Sequence, residues 1–331
     1  MIHCKKSRKD SWGPRRNGRY RILLNPARAG LALAVCFALL QSGARAEDVA
    51  ATLTVAWESF WHQTGYLQAI QRWDGPVRVR FSGASVARHK DFAMRQLVEV
   101  FEAAGLPISE AAADDPAVNL EVEFVSASHP LPSSEPCITN RSWRNFVIQR
   151  AKVRANEQSL WRCMLHESMH VMGFAGHPMG NTVLTYFARS DRLTDIDRLL
   201  LKTIYSSDVE PGMSPLAVMS VLAGRLVDAA GADTRNDVRQ EATSFLRRTV
   251  REMEAFGSGS GEGPTVVLRS GKATNAGLAQ GRTDIQFFLG VAYLRGHIVE
   301  LDKQKALEWL AKAAAASHPG AQRLLKRLSE E

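Results

Sequence analysis

The stretch His166-Glu167-Ser168-Met169-His170-Val171-Met172-Gly173-Phe174-Ala175-Gly176-His177 organises the rest of the chain. Histidines four apart on a helix share a face, one turn from each other. Their imidazoles can hold one zinc ion together. Glu167 lies beside them and can accept a proton from a water at that ion. Gly173 can close the helix in a left-handed turn, which lets the chain reverse. His177 is then placed to be the third ligand.

The flanking sequence supplies a scaffold for such a helix. Trp161, Leu165, Met169 and Met172 form an apolar stripe expected to face a sheet, with the histidines turned toward a cleft. Asn156 is the expected N-cap. Upstream, residues 47–73 look helical and aromatic, and Asp74-Gly75-Pro76 breaks them. Alternation predicts strands at 77–81, 120–125 and 146–153, with a helix over 90–104 between the first two. Downstream, Thr194 is a candidate cap for a helix running to Tyr205. Asp191, Asp195 and Asp197 are alternative metal ligands, although acids at a helix start are common. His62, His89 and His129 stand alone and read as structural or solvated. Met213 reads as a turn and packing residue.

The segment from His166 to Tyr205 resembles the metzincin zinc peptidases. His166, Glu167, His170 and Gly173 match the zinc motif, and Tyr186, Leu193, Thr194, Asp197 and Tyr205 match the portion after it. Two positions depart: His177 falls one residue late, with Gly176 in the usual place, and Leu184 replaces the methionine of the following turn. The resemblance implies Zn2+ held by His166, His170 and His177, Glu167 as general base, and Tyr186 stabilising an oxyanion or capping the metal. Residues 70 to about 213 also resemble an exported bacterial family, the domain of unknown function numbered 2927. That likeness is carried by Arg72-Trp73-Asp74-Gly75-Pro76-Val77-Arg78-Val79, by Cys163 with Glu167, and by Leu193 to Met213. Residues 285–322 resemble a Sel-one-type helical repeat, through Leu289-Gly290, Tyr293, Gly296, Lys305-Ala306, Trp309, Lys312-Ala313-Ala314 and Ala321. A single repeat cannot bury its own face, so a neighbouring helix or a partner protein is expected to cover it.

The formal charge of +8 belongs to the beginning of the chain. Residues 1–46 hold ten Lys or Arg and one acid, which leaves 32 basic and 33 acidic residues after them. The balance gives no reason to expect a nucleic-acid partner. A basic start, an apolar run from Ala29 to Leu40 and Ala44-Arg45-Ala46 read as a secretory signal, cleaved after Ala46. The alternative is an uncleaved anchor, for which the run is short. No later stretch is long and apolar enough to cross a bilayer. A periplasmic or secreted location follows, and an oxidising compartment favours a bond between the two remaining cysteines, Cys137 and Cys163. The alternatives are free thiols or Cys163 as a metal ligand.

The expected fold is α+β, α/β-like in element order. A metzincin-type catalytic domain with a small sheet and an active-site helix precedes an all-α, repeat-like region. The expected divisions are 1–46 signal peptide, 47–225 catalytic domain, 226–262 amphipathic helix with the linker Gly257–Gly261, and 263–331 helical repeat. The expected function is hydrolysis of peptide bonds in a peptide or protein substrate. A non-catalytic envelope protein, or a metal-binding module with an interaction tail, is the competing reading.

Overall fold

Residues 46–331 are described by the computed structural model, apart from 84, 113, 127–134, 187–190, 297 and 331. The expected signal peptide, His129 and Phe187 lie outside the described residues, and of Ala46 only the backbone is described. The elements run α1 (Ala46–Glu58), β1 (Val77–Ser82), α2 (Val86–Ala103), β2 (Ile108–Glu110), β3 (Leu120–Val125), β4 (Cys137–Arg144), β5 (Val147–Asn156) and α3 (Leu160–Val171). After these come α4 (Asp195–Ile204), α5 (Pro215–Ala229), α6 (Arg235–Ser258), α7 (Thr265–Arg269), α8 (Asn275–Arg295), α9 (Lys303–Ala315) and α10 (Pro319–Glu330). The class is α+β.

Five strands form one sheet in the order β2-β1-β3-β5-β4. All neighbours are parallel except β4, which pairs antiparallel with β5 at the edge. Alternation gives the sheet two unlike faces. Val77, Val79, Leu120, Val122, Val153 and Ala155 are fully buried on one. The other carries Arg80 with Glu121, and Lys152 and Arg154 with Glu123. Such half-exposed pairs contribute little each, but they keep the uncovered face wet. The site helix α3 packs against β4, β5 and α2.

Several sequence expectations shift here. The aromatic segment 47–73 is helical only to Glu58; beyond it the chain turns, with isolated bridges from Trp61 to Leu67 and from Arg72 to Val147. Strand β4 has no counterpart in the expected set, because Thr139 to Arg144 is polar and offers no alternation. Its β5 partner begins after a two-residue turn in which Asn145 and Phe146 both take positive φ (52° and 65°), the backbone of a tight hairpin turn. Asn156 ends β5, and its side chain accepts from the Gln158 amide at 2.9 Å; Ser159 occupies the N-cap. Trp161 is 58% exposed, so the expected stripe keeps Leu165, Met169 and Met172 but loses its first member.

The described residues belong to one compact unit. One apolar cluster runs from Val49 in α1 through the sheet to Trp309 in α9. The α8–α9 pair packs closely: a Cβ on Gly290 would meet Leu310 Cγ at 2.6 Å. Within the chain, α6 covers α8 and α10 covers α9. Gly257 and Ser258 complete α6, and Gly259 ends it at a left-handed φ of 89°. No helix among the described residues is long and apolar enough to cross a membrane.

Candidate metal centre

Helix α3 is anchored at both ends. Near its start Cys163 is bonded to Cys137, the first residue of β4, with Cα atoms 6.1 Å apart. The thiol alternatives for Cys163 therefore fall away. The bond closes a loop of 26 residues, and its removal by Cys137→Ser with Cys163→Ser is expected to cost roughly 3 kcal/mol in urea unfolding. A loss under ~1 kcal/mol would show that packing alone fixes the helix.

At its end, α3 exposes carbonyls that no further helical turn can satisfy. Side chains distant in sequence take them. Arg141 donates to the carbonyls of His170 and of Phe174 (2.9 Å). Trp73 Nε1 donates to Val171 O at 3.0 Å, and the Tyr205 hydroxyl to Met172 O at 2.9 Å. Arg72 does the same for the end of α4, donating to Ile204 O, Ser206 O and Val209 O at 2.8, 2.9 and 2.6 Å. The Arg72-Trp73 pair thus fixes two helix ends at once. Gly173 then turns the chain at φ 110°, where a Cβ would meet Gln71 O at 2.0 Å. Gly176 lies equally close to the end of α1: a Cβ there would meet Glu58 O at 2.2 Å.

These constraints bring the three histidines together. His170 Nε2 lies 3.1 Å from His166 Nε2 and 3.1 Å from His177 Nε2. Among the described residues they form the only cluster of three or more potential metal-binding side chains. Asp191, Asp195 and Asp197 are not part of it. His166 Nδ1 is 2.8 Å from Val183 O, and His170 Nδ1 is 3.0 Å from Phe174 O. A carbonyl only accepts, so each Nδ1 carries the proton and donates. Each neutral ring is thereby left with its Nε2 lone pair aimed at the centre. Burial is the largest cause holding the His166 and His170 rings below the ordinary imidazole pKa, His170 well below it, and it lowers His177 to about 2.

Such a donor set fits a metal. Lone pairs facing each other at 3.1 Å repel unless a cation lies between them. Tetrahedral zinc with bonds of about 2.0–2.1 Å would place ligand nitrogens roughly 3.3 Å apart. His177 differs from the other two: its Nδ1 is buried and has no hydrogen-bond partner among the described residues. Its ring is held instead by Tyr186, stacked on it at 4.0 Å and 4°.

The carbonyl that orients His166 is itself held. Asp197, fully buried, accepts from the Val183 amide at 3.1 Å and from the Thr182 hydroxyl. It also completes a capping box with Thr194, whose amide donates to it at 2.9 Å. Asp197 is therefore a strut between α4 and the loop that orients His166. Leu184, at the expected turn position, is completely buried.

Glu167 is 6% exposed, and the Thr139 hydroxyl donates to its Oε2 at 2.6 Å. Burial raises its pKa to about 7 against that hydrogen bond; a bound divalent cation would pull it down again. The cluster opens into a cleft of about 1110 Å³. Tyr186 lines it and donates to Gln63 Oε1. His62 also lines it, with Nδ1 2.7 Å from the Thr64 hydroxyl, and burial lowers its pKa to about 4.

These values fix the pH behaviour of the metal-free protein. Each lowered histidine leaves the unfolded chain binding a proton the folded chain refuses. Their stability is present above about pH 6.5 and is lost as pH falls. Glu167 acts oppositely, since the folded chain holds its proton up to about pH 7. Four lowered rings, His62 with the three of the cluster, outweigh the raised carboxyls of Glu167 and Asp284, so stability in chelator should fall as pH drops from 6 to 5. Urea midpoints flat across that range would contradict burial of neutral rings.

Thr139, Arg141, Gln63, Glu135 and Lys272 have no motif that marks them; each reaches the site only through folding. No family model, curated protein or solved structure matches the chain. The reading of the site rests on its own geometry.

Proposed function

We propose that this chain is an exported zinc-dependent peptidase with a metzincin-like core. The observation that carries the proposal is the convergence of three Nε2 lone pairs, two of them set by carbonyls at the opposite ring nitrogen, beside a buried carboxyl on the wall of an open cleft. His166, His170 and His177 would hold the ion. When bound, zinc would supply Lewis-acid polarisation of the scissile carbonyl and acidify a nearby water. Glu167 accepts the proton of the attacking water and returns it to the leaving amine. A bound cation, by lowering the Glu167 pKa, favours the ionised form that the first transfer needs. Tyr186 stacks on His177 and lines the cleft; its hydroxyl would exchange its bond to Gln63 for one to a developing oxyanion. Export to the periplasm or beyond is supported by the sequence of the leader and by a cysteine pair at bonding distance.

The test is cleavage of a mixed peptide library by the zinc-loaded chain. Cleavage that stops with chelator and returns with zinc is expected. A fully loaded protein that cuts nothing would overturn the reading and leave a metal-binding module.

A further inference from the structure

The C-terminal helical region does more than pack behind the site. The segment between α7 and α8 runs along the cleft and is fastened to the 62–66 turn. Ser270 Oγ donates to Gln63 O at 3.1 Å, and the Thr274 amide donates to Thr64 O at 3.0 Å. The start of α8 then approaches so closely that a Cβ on Gly277 or Gly281 would lie 2.0 Å from Thr64 O or Gly65 O. This docking delivers Lys272 into the cleft wall. Its ammonium lies 4.8 Å from the Tyr186 ring centre and 3.3 Å from the Tyr186 hydroxyl, and it pairs with Glu135. Tyr186 in turn stacks on His177, so the ammonium lies one side chain away from the candidate metal.

An ammonium has three donors. Among the described residues Glu135 and Tyr186 each take one. The Glu135 pair is half-exposed, with side chains 41% and 32% accessible, so another carboxylate can displace it with little loss. The charges lining the cleft lean to the matching sign. Arg141, Arg162 and Lys272 line it against Glu135 and Glu167, and a divalent ion would add two positive charges. A concave wall with a net excess of one sign favours ligands of the other.

We infer that Lys272 is a specificity-determining residue, supplied to the cleft by the C-terminal helices, that takes a carboxylate of the bound peptide in exchange for Glu135. The substrate class is therefore an acidic peptide, through a side chain or a free C-terminus. The inference rests on the peptidase reading, whose failure the following experiment separates from its own.

Calorimetric titration should use the Glu167→Gln chain, zinc-loaded and zinc-free, so that peptides survive. The probes are capped alanine pentapeptides with a central Glu, Gln or Lys, and the Gln peptide with a free C-terminal carboxylate. The Glu or free-acid peptide is expected to bind roughly tenfold tighter than the capped Gln peptide. Preference for the first assigns the side chain, and for the second the terminus. Adding Lys272→Glu should abolish or invert the preference, with zinc content and melting temperature unchanged, while Lys272→Arg keeps it. Lys272→Gln replaces the reversal if that variant does not fold. Equal affinities in the parent, a preference that survives Lys272→Glu, or no peptide binding would each overturn the inference. A wild-type chain that shows the preference but cleaves none of the probes removes the peptidase reading and leaves Lys272 as a ligand-binding residue.

Discussion

Replacing His170 by Ala is expected to remove stoichiometric zinc from the protein. His170 is the middle histidine of the cluster, with its Nε2 3.1 Å from both of the others. Its ring is also the most constrained, since Phe174 O holds its Nδ1 and the helix carrying it is tied by a disulfide and by Arg141. Losing a group that merely orients a ligand ring typically costs about 10–100-fold in metal affinity. Losing the ligand itself should exceed ~100-fold. His177→Ala should cost less than His170→Ala, because among the described residues nothing accepts from His177 Nδ1 and its ring is placed by stacking, most closely on Tyr186. The measurement is metal content after dialysis against buffered zinc, with melting curves beside it. Ligand linkage gives the wild type roughly 4 kcal/mol of zinc-dependent stabilisation at a thousandfold excess over Kd, and a variant weakened ~100-fold no more than about 1.4 kcal/mol at that concentration. A variant that keeps one zinc per chain with near wild-type affinity would end the three-histidine reading.

Glu167→Gln should do the opposite: keep the metal and lose the chemistry. Glutamine preserves shape and can still accept the Thr139 hydroxyl on its side-chain oxygen, so the helix has no reason to move. It cannot take a proton from water at neutral pH. General-base catalysis contributes typically 10²–10⁴-fold, and kcat/KM should fall within that range at unchanged zinc content. The acidic limb of the rate profile should also vanish, because the group that titrates is gone. The two variants are informative together. Loss of cleavage in both, with metal lost only in the first, separates a ligand from a base. A Glu167→Gln chain within tenfold of wild-type activity would mean that another group, or no group, moves the proton.

Local sequence carried much of the site. Residues 160–177 read as a helix, a glycine turn and three ligands because their determinants are near neighbours: ring spacing at i and i+4, a left-handed glycine, and a short return. The Thr194–Asp197 capping box was readable for the same reason, as its partners are three residues apart. The start of α3 was misplaced because Asn156 makes a local turn bond that competes with capping. Strand β4 was missed because a polar edge strand bordering a cleft has no alternation to display, and its pairing is a property of β5 as much as of itself.

Local spacing, then, supplies the set of donors: which side chains can hold a metal, and on which helix face they stand. Tertiary structure decided everything that tunes them. Arg141 reaches the His170 carbonyl from 29 residues away, Trp73 reaches α3 from 98, and Asp197 holds the loop whose carbonyl sets the His166 tautomer. Lys272 enters the cleft because Gly277 and Gly281 let α8 rest against a turn some 210 positions earlier. Hydrogen bonds and close packing act through space over a few ångströms. Residues that far apart in the chain meet only after the sheet and helices have bound their backbones together.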